Sequence, residues 1–261
     1  MRSWTTVFTI ATSLILSTQA YAASNLTYKD GFYKDEVSST PYHALITISG
    51  GGAFSDDVGR SVTFPVIDDS TYAYTADKDS ESSDLFGIFG GVEFPLYQAW
   101  SMQLGLGYYQ TDFDASGALV QGPDALSADT YQYKYSIKSE QVLVESKFLM
   151  NNFYRGLHPY LSAGLGAAFN KSKDYSVNNP TFLTFSPLFR ANTETSFTYN
   201  VGFGIDFDIP KYWRVGVGYR FTDLGKSSLG VGRIDTTAIG STLRQSHLYA
   251  HEVMAQLTFI V

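Results

Sequence analysis

The residues of this 261-residue chain that could do chemistry fall into three groups, and the first is embedded in alternating stretches. In WRVGVGYRFTDLG (Trp213 to Gly225), Arg214 and Arg220 share one parity with Gly216, Gly218 and Thr222. Trp213, Val215, Val217, Tyr219 and Phe221 take the other, which is the period-2 signature of a strand with two unlike faces. The same small, polar face carries Asp206 and Asp208 within Phe197 to Ile209, Glu93 within Leu85 to Phe94, Glu145 and Lys147 within Tyr131 to Met150, and Glu252 within Tyr249 to Val261. If the Pro210 turn is tight, Ile209 pairs with Trp213 and Asp208 comes to stand opposite Arg214. Eight charges of both signs on inward faces could line an ion pathway or form a plug of salt bridges. The plug is the expectation, because buried charges persist when they are paired.

The second group is Ser246, His247, His251 and Glu252, a hydroxyl, two imidazoles and a carboxylate of the kind acyl hydrolysis uses. Strand alternation sends His247 and His251 to one face and Ser246 and Glu252 to the other, so no triad assembles. The two histidines lack a third ligand that sequence can nominate. No catalytic residue, metal site or cofactor is therefore assigned.

The third group is acidic. Ser55 to Asp84 holds Asp56, Asp57, Asp68, Asp69, Asp77, Asp79, Glu81 and Asp84 against Arg60 and Lys78, and Gln110 to Thr130 adds Asp112, Asp114, Asp124 and Asp129. Asp77 to Glu81 resembles the start of a calcium loop, but Ser82 and Ile88 occupy the places that need Gly and Glu, which leaves a solvated acidic loop. Charge beside the apolar handles Val62, Phe64, Val66 and Ile67 suits a contact surface, with Asp77, Asp79 and Glu81 supplying steering. The later loops are mixed or mildly basic, through Lys171, Lys173, Arg190, Lys226, Arg233 and Arg244.

The elements that must position these groups are strands. Charged residues make up 16% of the chain, aromatics 16%, with 23 glycines and no cysteine. That composition suits strands over helices and excludes disulfides and cysteine-ligated metals. The net charge of −7 argues against a nucleic-acid partner. Arg2, the apolar Trp4 to Leu16 and Ala20-Tyr21-Ala22 form a secretory signal over residues 1–22, followed by an N-terminal segment at 23–41. From 42 to 261, alternation marks eight strands, with a bulge expected near Ser139. The connections run short, long, short, long, the long ones being Ser55 to Asp84, Gln110 to Thr130, Lys171 to Ser196 and Lys226 to Ser246. That rhythm belongs to a transmembrane β-barrel.

Volume decides which face is inside. An eight-stranded barrel has an interior only just wide enough for side chains, and Phe86, Phe94, Trp100, Phe203, Phe207, Trp213, Tyr219 and Phe259 cannot all enter it. They must face outward, into lipid, with aromatics in two girdles at the interfaces. The expected fold is all-β, an antiparallel eight-stranded up-and-down transmembrane barrel.

GLHPYLSAGLGAAFN (Gly156 to Asn170), VGFGIDFDI (Val201 to Ile209) and WRVGVGYRFTDLG resemble the opacity-protein-like, OmpA-like family of small eight-stranded outer-membrane barrels, over about Tyr42 to Val261. The resemblance implies a Gram-negative outer-membrane protein acting in surface interaction, adhesion or envelope integrity. It implies outer-membrane lipid, lipopolysaccharide and the barrel-assembly machinery as partners, with a host-cell or matrix ligand for a monomeric chain. The family usually ends in an aromatic residue, whereas this chain ends Phe259-Ile260-Val261. A narrow channel, a lipid A-modifying barrel enzyme and a soluble lipocalin-like carrier are the competing readings.

Overall fold

Strict alternation over long stretches leaves the backbone no option but extended ladders, and in the computed structural model these close on themselves. The structure describes residues 42–261 apart from 56–57, 59–61, 66–70, 78–80, 98, 123–128, 152, 155, 179–187, 211, 235–236 and 239–241. The expected signal at 1–22 and the segment at 23–41 lie outside the described residues. In chain order the strands are β1 (His43–Ser55), β2 (Val62–Pro65), β3 (Thr71–Ala76), β4 (Glu81–Tyr97), β5 (Trp100–Gly122), β6 (Asp129–Met150), β7 (Leu157–Asn178), β8 (Leu188–Phe189), β9 (Asn192–Ile209), β10 (Trp213–Asp223), β11 (Ser227–Ser228), β12 (Gly232–Ile234), β13 (Thr237–Ala238), β14 (Arg244–Gln245) and β15 (Tyr249–Ile260). Eight of them, β1, β4, β5, β6, β7, β9, β10 and β15, pair antiparallel in that order, and β15 returns to pair with β1 from Leu45↔Ile260 to Phe54↔His251. Closure leaves no free edge in the wall.

The wall is inverted relative to a soluble sheet. On β5, Trp100, Leu104 and Leu106 are exposed while Ser101 and Gln103 are buried; on β9, Phe197, Val201, Phe203 and Ile205 are exposed while Thr198, Asn200 and Asp206 are buried. The belt of large apolar side chains faces out, as the volume argument requires.

Beyond the belt the sign of the pattern reverses without a change of parity. Past Tyr109 on β5, the inward residues become Phe113, Ala115 and Leu119, all fully buried, and the outward ones become the exposed Asp112 and Asp114. On β6 the inward positions Tyr131, Tyr133, Tyr135 and Ile137 are buried, and Lys134 points out. This corrects the expectation of a bulge near Ser139. The β5–β6 ladder runs unbroken from Trp100↔Met150 to Gln121↔Asp129, so no bulge lies at Ser139. What changes there is the medium outside the wall, from lipid to water. The real register shift is on the next ladder, where Lys134 pairs with Ser176 and Ser136 with Lys173. Asp174 and Tyr175 therefore oppose Tyr135 alone, with Asp174 at φ 58°, the two-against-one count of a β-bulge.

Much of what reads as loop is also strand. Gln110 to Gly122 and Asp129 to Glu140 continue the wall, and β7 and β9 extend past Asn170 and Thr195 to Asn178 and Asn192. Within Ser55 to Asp84, β2 and β3 form a hairpin, and β3 pairs with the outer end of β5 from Thr71↔Gly122 to Ala76↔Gly117. β8, β12 and β13 form a small sheet, and β11 pairs with β14.

These extensions share one apolar core above the belt. Ala53, Tyr74, Phe113, Leu119, Tyr131, Tyr133, Tyr135, Ile137, Phe189, Leu224, Leu229, Leu243 and Leu248 pack together, with Tyr175 and Val177 against them. Every long connection supplies at least one member, so the outer segments form a single packed headpiece on the barrel.

Candidate functional site

The lumen holds all eight of the inward charges read from the sequence, in two arginine-centred groups and a separate Lys147–Asp206 pair. At the turn-side end, Arg214 Nε donates to Asp208 Oδ1 at 2.7 Å and its Nη1 donates to Glu93 Oε2 at 2.8 Å. The register places Arg214 directly opposite Asp208. His158 Nε2 donates to the second Asp208 oxygen at 2.8 Å, and Gln103 Nε2 donates to Glu93 at 2.7 Å.

Further in, Arg220 donates to Glu252 through Nε and to Glu145 through Nη1, the latter at 3.3 Å, while Thr222 Oγ1 donates to Glu252 at 3.2 Å. Glu145 also accepts from Tyr109 Oη at 2.6 Å and from Asn200 Nδ2 at 2.9 Å. Between the groups, Lys147 Nζ donates to Asp206 at 2.7 Å and to Gln256 at 3.0 Å.

Two tyrosines that sequence reasoning missed complete this packing. The Arg220 guanidinium lies 3.7 Å from the ring centroid of Tyr109, and Lys147 Nζ lies 3.8 Å from that of Tyr160, both cation–π distances. The inward glycines make room for these rings. A Cβ on Gly87 or Gly107 would run into the ring of Tyr109, and one on Gly204 or Gly218 into the Tyr160 hydroxyl. The signal was present in parity, since Tyr109 shares the face of Gly105 and Gly107. His158, Gln103, Asn200 and Gln256 were missed for another reason: nothing in a sequence marks a neutral polar residue as the partner of a particular charge, whether on the adjacent strand, as for Gln103 and His158, or further round the wall, as for Asn200 and Gln256.

Chemically, the arrangement leaves each of the eight lumen charges with a partner of opposite sign. The cavity beside Tyr109, Glu145, Lys147, Tyr160 and Arg220 measures about 40 Å³, room for a water or two.

Above the lumen the headpiece core closes the mouth. Tyr74 meets Tyr133 edge-on at 5.2 Å and Phe189 at 5.9 Å, Tyr175 meets Phe189 at 4.9 Å, and Tyr133 stacks on Tyr135 at 6.4 Å. Such aromatic pairs contribute about 0.5–1.5 kcal/mol each beyond their buried area. The Tyr74 and Tyr175 hydroxyls share a hydrogen bond of 3.1 Å. Burial is the main cause that raises the phenols of Tyr133, Tyr135 and Tyr175. Tyr133 rises to about 12, with Asp77 adding to the effect. Tyr135 and Tyr175 are raised further, Tyr135 also by Tyr133 and Tyr175 also by Tyr74.

The acidic contact residues are dispersed over this headpiece. Val62 and Phe64 lie on β2, opposite Tyr74 and Tyr72. Asp77 is exposed and accepts from Ser116 Oγ at 3.1 Å, and Glu81 opens β4. Val66, Ile67 and Asp79 lie outside the described residues.

The hydroxyl–imidazole–carboxylate group is not brought together. Glu252 is fully buried against Arg220, His251 shares a 2.6 Å hydrogen bond with Tyr219, and His247 donates from Nδ1 to Asp223 at 2.9 Å, while Ser246 is exposed.

The family described as outer membrane protein beta-barrel domain matches residues 8–244. No curated protein matches the sequence. Among solved structures, the outer membrane protease OmpT from Escherichia coli is 9% identical at a TM-score of 0.47, covering 87% of this chain and 99% of its own. The outer membrane protein OprG from Pseudomonas aeruginosa is 13% identical at 0.46, covering 82% and 95%. Neisserial surface protein A is 11% identical at 0.40, covering 84% and 97%.

Proposed function

The chain belongs to the outer membrane protein beta-barrel domain family and lies in the Gram-negative outer membrane, and from that premise we propose that it is a sealed scaffold displaying a rigid headpiece for surface interaction. The observation that carries this reading is the single apolar core to which all the long outer connections contribute. Loose loops need no such core. Building one fixes the outer surface in one shape, which cuts the ordering cost of recognition. The lumen serves as support: its charges are paired across strands, so they hold the wall instead of passing ions. Inserted by the barrel-assembly machinery as a monomer among outer-membrane lipid and lipopolysaccharide, the chain would present this surface to a host-cell or matrix ligand.

Non-enzymatic action fits the divergence of Ser246, His247, His251 and Glu252. A narrow channel meets two obstacles in series, the Arg220 cluster and the aromatic core. Envelope maintenance is the alternative within the same architecture, because a sealed, ion-paired barrel would also serve there. The deciding experiment compares adhesion of cells that carry the full chain with cells whose β2–β3 hairpin is replaced by a short turn, at equal surface level and with folding checked by gel mobility before and after boiling. Reduced adhesion is expected. Unchanged adhesion by a folded barrel sinks the contact role of this segment and leaves envelope maintenance.

A further inference from the structure

Folding brings four basic residues of the headpiece together from distant pieces of sequence. Arg190, Lys226, Arg233 and Arg244 are all exposed, and none makes an ion pair with another described residue. The segment from Lys226 to Arg233 gathers them. Lys226 is pinned at one end, its backbone N donating to Ser196 Oγ at 2.9 Å. Ser228 then pairs with Arg244 across β11 and β14, Gly230 N donates to the Arg190 carbonyl at 2.8 Å, and Arg233 pairs with Leu188 across β12 and β8. Fully extended, the segment would span at most roughly 23 Å.

Acidic groups on the same elements are already engaged. Glu194 accepts from Ser228 and Asn192, and Asp223 accepts from Gly225 N and His247. Asp235 lies outside the described residues. The segment packs inside the rim of the wall: Asn170 Nδ2 donates to the Leu224 and Lys226 carbonyls at 2.7 Å each, and Asn192 Nδ2 donates to Ser228. Asn170, Asn192 and Ser196 are all of inward parity on β7 and β9. The ridge therefore crowns the mouth, away from the lipid-facing belt.

We infer that this ridge is a binding site for an anionic polysaccharide bearing sulfate or carboxylate groups. The inference rests on the surface-interaction reading and names its ligand class. Three of the four cations are arginines, whose planar forks match sulfate and carboxylate bidentately. The ridge is a narrow line of charge, with Leu188 and Val231, 68% and 52% exposed, as its large apolar side chains. It lacks an exposed aromatic anchor among the described residues, the feature around which protein interfaces concentrate their energy. A flexible acidic chain needs no such anchor. Its crowning position favours a ligand from the medium over the head groups of the surrounding leaflet.

The test uses the full chain in phospholipid nanodiscs, with dextran sulfate as the probe and with uncharged dextran, poly-glutamate and lipopolysaccharide vesicles as comparators. Dextran sulfate should bind, should weaken as salt screens the contact, and should lose at least tenfold in R190E/R233E and in R244E measured separately. Lys134→Glu, on the outer wall of β6, should leave binding within twofold. Gel mobility confirms that each variant is folded. Unchanged affinity in R190E/R233E overturns the site. Tighter binding of poly-glutamate makes the partner an acidic protein, and tighter binding of lipopolysaccharide makes it the leaflet; either overturns the assignment. Loss of dextran sulfate binding in R190E/R233E together with unaltered adhesion of the hairpin-shortened cells upholds the ridge and defeats that hairpin's part in adhesion. Reduced adhesion without dextran sulfate binding does the reverse.

Discussion

Replacing Arg220 by Met tests the sealed lumen most directly. Arg220 is 4% exposed and Glu252 is fully buried, so neither end of their pair can turn to water. Methionine keeps most of the apolar stem while removing the cation and its contact over the Tyr109 ring. Two carboxylates then lose the cation, but unequally. Glu145 retains donors from Tyr109 and Asn200, whereas Glu252 is left with the Thr222 hydroxyl. Breaking a buried pair by removing one partner costs about 3–5 kcal/mol, and most of that falls on Glu252. Taking an m-value of about 2 kcal/mol/M in urea, the midpoint should drop by about 1.5–2.5 M. Arg220→Met with Glu252→Leu should recover at least half of the loss, since no bare charge remains at that position. Lys138→Met supplies the contrast. Its pair with Glu140 has side chains 25% and 38% exposed, and pairs of that kind contribute about 0–1 kcal/mol. The assay is urea unfolding from phospholipid vesicles, followed by the fluorescence of Trp100 and Trp213 at the belt. A midpoint within 0.3 M of wild type (about 0.6 kcal/mol at that m-value) for Arg220→Met, or strictly additive effects in the double variant, would refute the paired lumen.

Three further outcomes follow from the same geometry. Leu104→Arg should cost about 2–4 kcal/mol in vesicles, as for a cation at the midplane of a barrel, while Asp112→Arg, eight positions along the same outward face, should change stability by under about 0.5 kcal/mol; equal losses would erase the boundary between belt and headpiece. Phe113→Ala, which empties a fully buried site in the headpiece core, should cost about 3–5 kcal/mol in the unfolding step that reports the headpiece, measured by protease protection of the outer segments with the barrel intact; unaltered protection would mean that the core does not order the headpiece. Tyr133, Tyr135 and Tyr175 are neutral acids whose folded pKa values lie above the ordinary 10, so their contribution to stability is whole below pH 10 and is lost as pH climbs toward 12 and beyond; ultraviolet titration should show a late tyrosinate fraction that ionises together with loss of headpiece protection, and a single transition near pH 10 for all tyrosines would contradict their burial.

The barrel was legible in the sequence because lipid forces the same two-faced pattern on every strand. Trp213, Val215 and Val217 against Arg214, Gly216 and Gly218 give parity directly, and parity with a tight Pro210 turn was enough to place Asp208 across from Arg214. What the pattern could not give was range. Asp206 meets Lys147 from two strands away, with β7 between them, and Arg214 meets Glu93 across the lumen; those contacts depend on stagger and on inward glycines such as Gly216, where a Cβ would run into Asp206. The residues of the signal and of Val66, Ile67 and Asp79 fall where the structure describes nothing.

The misread bulge at Ser139 shows why the headpiece was hidden. Tyr131, Tyr133, Tyr135 and Ile137 are of the same parity as Glu145 and Lys147, and all face inward. Read as a barrel strand, a face that turns from charged to aromatic implies a change of sides, so a bulge is the natural repair. Hydrophobicity, however, reports the medium on each side of the wall and not the side itself. Inside lipid, apolar side chains face out because the outside is greasier than a glycine-lined, charged interior. A few residues further, water replaces lipid and the ordinary hydrophobic effect takes over, so apolar side chains face in. A strand crossing the boundary must therefore exchange the chemistry of its two faces while its geometry continues unchanged. On β5 the exchange falls between Leu106 and Phe113 and on β6 between Val142 and Ile137, residues that the register holds close together, with Phe113 paired to Ile137 and Leu106 to Val144. Coincident exchange on paired strands marks the membrane surface, and what lies beyond it is a soluble core built on a membrane wall.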